Sequence, residues 1–135
     1  MRAFREAVEV GDMDAVEALL AEDVVFTSPV VFKPYPGKAI TAAILRAVSQ
    51  VFEDFRYDRE FAGGDGRDHA LVFTARVGDR TLTGCDFIHL DESGLIDELM
   101  VMVRPLSGAQ ALAEAMGARF EEIAKEAEAR SAAAP

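Results

Sequence analysis

The stretch TLTGCDFIHLDESGLIDELMVMVRPL, residues 81–106, reads as two strands joined at the turn DESG and stopped by Pro105. Alternation divides the first strand into Leu82, Gly84, Asp86, Ile88 and Leu90 on one face and Thr81, Thr83, Cys85, Phe87 and His89 on the other. Asp86 is the single carboxylate on the more aliphatic face. Burial there penalises the charged form, which would leave a raised pKa and a carboxyl able to donate a hydrogen bond near neutral pH. The alternative is a partly wet face, or an Asp86 that caps backbone amides or pairs with Arg76 or Arg104.

Upstream of this hairpin, Leu71, Phe73, Ala75 and Val77 alternate into a tight Gly78-Asp79 turn, and Phe55, Tyr57, Arg59 and Phe61 alternate into Gly63-Gly64-Asp65-Gly66. Before them the period lengthens. Ile40, Ala43, Ile44, Val48, Val51 and Phe52 recur at helical spacing and predict an amphipathic helix from Lys38 to Phe52. Val24 to Ser28 reads as a short strand closed by Pro29, followed by the loop VVFKPYPG. At the N-terminus, Phe4, Ala7 and Val8 mark one helix ending near Gly11, and Asp12 suits the N-cap of a second with Val16, Leu19 and Leu20 as its buried stripe. Downstream, Ser107 and Gln110 have capping-box spacing, and Leu112, Met116, Phe120 and Ile123 predict one apolar stripe on a final helix. Glu121–Lys125 and Glu126–Arg130 are candidate ion pairs on its wet side.

Helices followed by hairpin-linked strands describe an α+β domain whose curved antiparallel sheet folds over its helices and encloses a cavity on the concave side. With 135 residues there is room for one core, so a single domain over residues 1–130 is expected, with 131–135 as a frayed tail. The net charge of −10 disfavours nucleic acid and anionic membranes as partners. One cysteine, Cys85, and no signal-like or membrane-length apolar run suit a cytoplasmic protein. No cofactor is expected. No Cys/His/carboxylate cluster stands at ligand spacing, so no metal site is expected either, and His69 and His89 read as surface or interface residues.

GDMDAVEALLAEDVVFTSPV, a PGK helix start and GCDFIHLDESGLI together resemble the NTF2-like superfamily, in particular its ketosteroid isomerase and SnoaL-like polyketide cyclase branch. The resemblance implies a cone-shaped, cystatin-like fold. In the isomerases an aspartate before the proline of the first strand is the general base, a tyrosine on the first helix is an oxyanion donor, and an aspartate before the "DExG" turn is the second. The matching positions here are Ser28, Phe4 and Asp86, so one group of the three is retained and Asp86 is the candidate catalytic residue. By the same resemblance Leu71, Phe73, Ala75, Leu99, Val101 and Val103 line the cone. Tyr35, in the proline-rich loop, is placed over the mouth or in packing. The expected function is binding of a small hydrophobic molecule in an apolar pocket anchored by Asp86. The alternatives are an isomerase or cyclase of a hydrophobic carbonyl compound, and an interaction module without a ligand. Cys85, Phe87, Met100 and Met102 on the opposite face are too apolar to leave in water, so another surface should cover them; the resemblance implies a homodimer through this face, and part of the C-terminal helix is the alternative cover.

Overall fold

The computed structural model describes residues 1–133. Helices α1 (Arg2–Val10) and α2 (Met13–Ala18) lead into β1 (Leu20–Thr27), the two-residue β2 (Tyr35–Pro36) and α3 (Lys38–Val51). Four longer strands follow, β3 (Glu53–Ala62), β4 (Asp68–Val77), β5 (Arg80–Leu90) and β6 (Ile96–Arg104), and then helices α4 (Leu106–Gly117) and α5 (Phe120–Ala133). The strands form one six-stranded sheet in the order β2-β1-β6-β5-β4-β3. Its pairs are antiparallel except β1 with β6, which run parallel because the whole of α3 to β5 intervenes between them.

Gly11 ends α1 at φ 75° in the left-handed region, and the Asp12 side chain accepts a hydrogen bond from Ala15 N at 3.1 Å to start α2. The helix stops earlier than its apolar stripe suggests. Leu20 is the first residue of β1, where its partner is Ile96 of β6, and the amide of Ile96 donates to the carbonyl of Leu19 at 2.9 Å. Sheet pairing therefore takes over a residue that helical periodicity would have kept, a tertiary override of local pattern. The proline-rich loop also contributes more than a connection, because Tyr35 and Pro36 pair with Phe26 and Val25.

The C-terminal region differs in three respects from the single capped helix. The first helix begins at Leu106 behind Pro105 with no side-chain cap, so Ser107 and Gln110 form no capping box. The chain divides at Ala118 and Arg119, which leaves Phe120 54% exposed at the cavity wall while Leu112 and Ile123 remain buried. Helix α5 runs to Ala133, and 134–135 lie outside the described residues. Of the two pairs expected on the wet side, Arg130 meets Glu126 at 3.0 Å and also reaches back to Glu17 at 2.7 Å, whereas no Glu121–Lys125 bridge forms.

The concave face is organised by a close approach at Gly84. Tyr57, Phe73 and Gly84 lie in one row across β3, β4 and β5, and the Phe73 ring covers the glycine. A Cβ added at Gly84 would stand 2.2 Å from Phe73 Cζ. Phe73 in turn stacks on Phe55 at 5.0 Å between ring centres and meets Tyr57 edge-on at 6.3 Å, so the glycine seats a whole aromatic group. At the other end Gly108 of α4 sits directly on Leu82, the strand partner of Ala75, and closes the cone.

Gly84→Ala is accordingly expected to destabilise the protein by about 1–3 kcal/mol in chemical denaturation, through overpacking against Phe73. A variant as stable as the wild type would show that the ring is not held over the glycine.

Candidate functional site

Between the concave face and the helices lies a cavity of about 530 Å³. Its walls are mostly apolar: Phe4, Val8 and Val16 from the N-terminal helices, Phe52 after α3, Phe55 and Phe73 from the sheet, and Leu112, Met116 and Ile123 from α4 and α5. Within it Asp86, only 8% exposed, receives a hydrogen bond of 2.7 Å from the Tyr57 hydroxyl to its Oδ2. The bond is buried from solvent.

Strand geometry brings the two together. The β4–β5 register pairs Phe73 with Gly84 and Leu71 with Asp86, and the β3–β4 register pairs Tyr57 with Phe73. Tyr57 is therefore one inward-facing row and two strands away from Asp86, and its long side chain reaches across β4 to it. Because Gly84 has no side chain and Phe73 lies flat over it, nothing stands between the phenol and the carboxyl. The sequence analysis placed Tyr57 in the β3 alternation without assigning it to the site. Its pairing with Phe73 depends on the register shift in β3 between Tyr57 and Arg59, which no local pattern reveals.

Phe4, Ser28, Tyr35, Phe73, Asp86, Leu99 and Val101 all lie on the cavity wall. Leu71, Ala75 and Val103 do not. Leu71 is wholly buried, Ala75 is closed off beneath α4, and Val103, paired with Gly84, packs against the core. The Ser28 hydroxyl accepts a hydrogen bond from Val30 N at 3.1 Å and so stabilises the turn after β1. Phe4, at the position of the isomerase tyrosine, brings no hydroxyl, and the cavity's deep phenol comes from β3 instead. Neither arginine considered for Asp86 reaches it. Arg76 bridges Glu53 and Asp54 at 3.1 and 3.2 Å, and Arg104 is exposed. The second carboxylate on the wall, Glu9, is tied to Arg5 at 3.4 Å.

With no cation beside it, Asp86 resists ionisation. Burial pushes its pKa from 3.8 up to about 7, and the hydrogen bond from Tyr57 offsets part of that rise. Burial, and then the neighbouring Asp86 charge, push the Tyr57 phenol well above its ordinary range, so it remains a donor at any physiological pH. Near neutrality the pair holds two protons or one. With two, one hydroxyl satisfies the other residue and a second proton is free for a guest; with one, the phenol is spent on the carboxylate.

The raised carboxyl also links stability to pH. Between about pH 4 and 7 the folded protein retains a proton on Asp86 that the unfolded chain has lost, so stability falls as pH rises through this window. Asp86→Asn removes the effect while keeping an acceptor for Tyr57. Relative to wild type, the variant should gain on the order of 4 kcal/mol between pH 4 and pH 8, read by denaturation at each pH. A difference independent of pH would mean that Asp86 ionises normally.

The fold has counterparts among solved structures. A steroid delta-isomerase from Pseudomonas aeruginosa is 45% identical, over 88% of this chain and 87% of that one, with a TM-score of 0.84. A cystatin-like-fold protein from Silicibacter pomeroyi is 40% identical over 94% and 91%, with a TM-score of 0.85. An epoxide hydrolase/cyclase-like enzyme of pyran ring formation shares the fold at 20% identity over 78% and 87%, with a TM-score of 0.64. No curated protein matches. The SnoaL-like domain matches residues 1–99, and the chain belongs to that family, with the NTF2-like, cystatin-like architecture.

Proposed function

We propose that the protein binds a small, mainly apolar molecule whose one carbonyl oxygen meets the Tyr57–Asp86 pair. The observation that carries this reading is the 2.7 Å Tyr57–Asp86 hydrogen bond in the mostly apolar wall of a cavity of about 530 Å³. A cavity of that size is within the range of small-molecule sites, and few convergent polar groups among many apolar ones fix a ligand's orientation without supplying most of its affinity. Such a guest presents one polar atom to the depth of the cavity and hydrocarbon to Phe4, Phe55, Leu99 and Val101.

A carbonyl oxygen only accepts hydrogen bonds, so the pair serves it fully when Asp86 is protonated. Affinity for a ketone should therefore be level below pH 7 and fall by about tenfold per pH unit above it, as measured by calorimetry with a steroid ketone as probe. Tyr57→Phe should weaken the same binding, since it removes one of two donors. Binding unaffected by both pH and Tyr57→Phe would refute the anchoring role of the pair.

A second reading is favoured by the 45% identity to a steroid delta-isomerase and by an acid that titrates near neutral pH, the range in which a carboxylate takes up and returns protons most effectively. In it, ionised Asp86 takes a proton from carbon next to the carbonyl and the C–H electron pair shifts toward oxygen; once protonated, Asp86 no longer holds the Tyr57 hydroxyl, which turns to donate to that oxygen. The protonated Asp86 then returns the proton at the far end of the conjugated system. Ser28 has no role as base, because its hydroxyl is far too weak an acid and is bonded within its turn. Asp86→Asn separates the readings: an amide still anchors a carbonyl, but it moves no proton. Retained binding with loss of double-bond migration supports the enzyme, and no migration in the wild type leaves a binding protein.

The opposite sheet face supports a homodimer. Phe87 is 38% and Met102 54% exposed, with Cys85 and Met100 half-buried beside them. Sedimentation at micromolar concentration should give twice the mass of the chain, and Phe87→Lys should halve it. A stable wild-type monomer contradicts this surface as an interface.

A further inference from the structure

A separate group of side chains stands on the outer face of the sheet, at the end of the β5–β6 hairpin nearest its turn. His89 pairs with Glu98 across the strands, and the register shifts here so that Asp97 is an extra residue in β6 between the Glu98 and Ile96 pairings. A bulge of this kind turns two successive side chains toward one partner instead of to opposite faces. The result is that ligand atoms of His89, Asp97 and Glu98 all lie within 4.8 Å of one another. Asp97 Oδ1 is 2.6 Å from His89 Nδ1. All three residues are reachable from solvent, and His89 and Glu98 also line a groove of about 420 Å³ on this face.

From this convergence we propose a binding site for a first-row divalent cation, typified by Zn²⁺, held by His89, Asp97 and Glu98 with its remaining positions open to water or an external ligand. One imidazole nitrogen with two carboxylate oxygens is a donor set that suits zinc and its neighbours, whereas magnesium and calcium favour oxygen alone. The geometry needs only side-chain rotation. Ligand atoms at about 2.0–2.2 Å from a tetrahedral ion are about 3.4 Å apart, so the His89–Asp97 pair opens slightly and Glu98 closes in, the ion replacing the proton that Nδ1 and Oδ1 share. The chain's net charge of −10 favours cation approach. The ligands come from two strands, eight and nine residues apart around a turn, and do not form a compact sequence motif. This is why the sequence reading expected no metal site.

Calorimetric titration with ZnCl₂ in a non-chelating buffer tests the proposal on the intact chain, with amide NMR of the same samples locating the site. The wild type should bind one Zn²⁺, with shifts centred on residues 89, 97 and 98. His89→Gln and Glu98→Gln should each weaken binding by about tenfold or more while leaving the metal-free melting temperature nearly unchanged. His69→Gln should bind as wild type does, because the His69 Nε2 already lies 2.9 Å from the Gly66 carbonyl on a neighbouring turn. Equal affinity of wild type and His89→Gln, or Mg²⁺ binding as tightly as Zn²⁺, would overturn the site and leave only a diffuse attraction to an acidic surface. NMR shifts centred elsewhere would overturn it equally.

Discussion

A carboxyl sealed among hydrocarbon needs a donor, and in this chain the donor is a phenol two strands away on the same face of the sheet. Burial lifts the Asp86 carboxyl from near 4 to about 7, and the 2.7 Å bond from Tyr57 offsets part of that rise. An arginine in place of Tyr57 would have held the aspartate ionised. A neutral donor compensates part of the burial and leaves a proton available. The chemistry open to the site follows from this balance.

The rest of the concave face serves that contact. Gly84 admits the Phe73 ring, Phe73 supports Phe55 and Tyr57, and the ring of Tyr57 is fixed edge-on between them. On the helical side, α4 fills one end of the cone through Gly108 against Leu82, so the space left open is the part above Asp86. The same two strands present opposite chemistry on their other face. Phe87, Met100 and Met102 form an apolar band there, and the bulge at Asp97 gathers polar ligands at its margin.

Much of this was legible in the sequence because it depends on parity and on local turn chemistry. Asp86 on the aliphatic face, the hairpin at DESG, the helix from Lys38 and the Asp12 cap all follow from spacing alone, and the observed elements agree closely. The resemblance to the NTF2-like superfamily carried the fold, which its structural neighbours share. What could not be read depended on register and on competition between elements. Tyr57 faces Phe73 and reaches Asp86 because of the register shift between Tyr57 and Arg59, and Leu20 leaves its helix because it pairs with β6. Ala75 shares its face with Phe73, yet α4 lies over its strand partner Leu82 and shuts it out of the cavity. The absence of a phenol on the first helix was legible at Phe4, but its replacement from β3 was not.

The account stands or falls on the proton of Asp86. Aspartate carbonyl-labelled protein, with the Asp86 resonance assigned by its loss in Asp86→Asn, allows the carboxyl to be titrated directly by ¹³C NMR. The arrangement predicts a midpoint near 7 in the ligand-free wild type, moving higher in Tyr57→Phe because the phenol's bond favours the charged form. A midpoint near 4, unmoved by loss of the phenol, would contradict it.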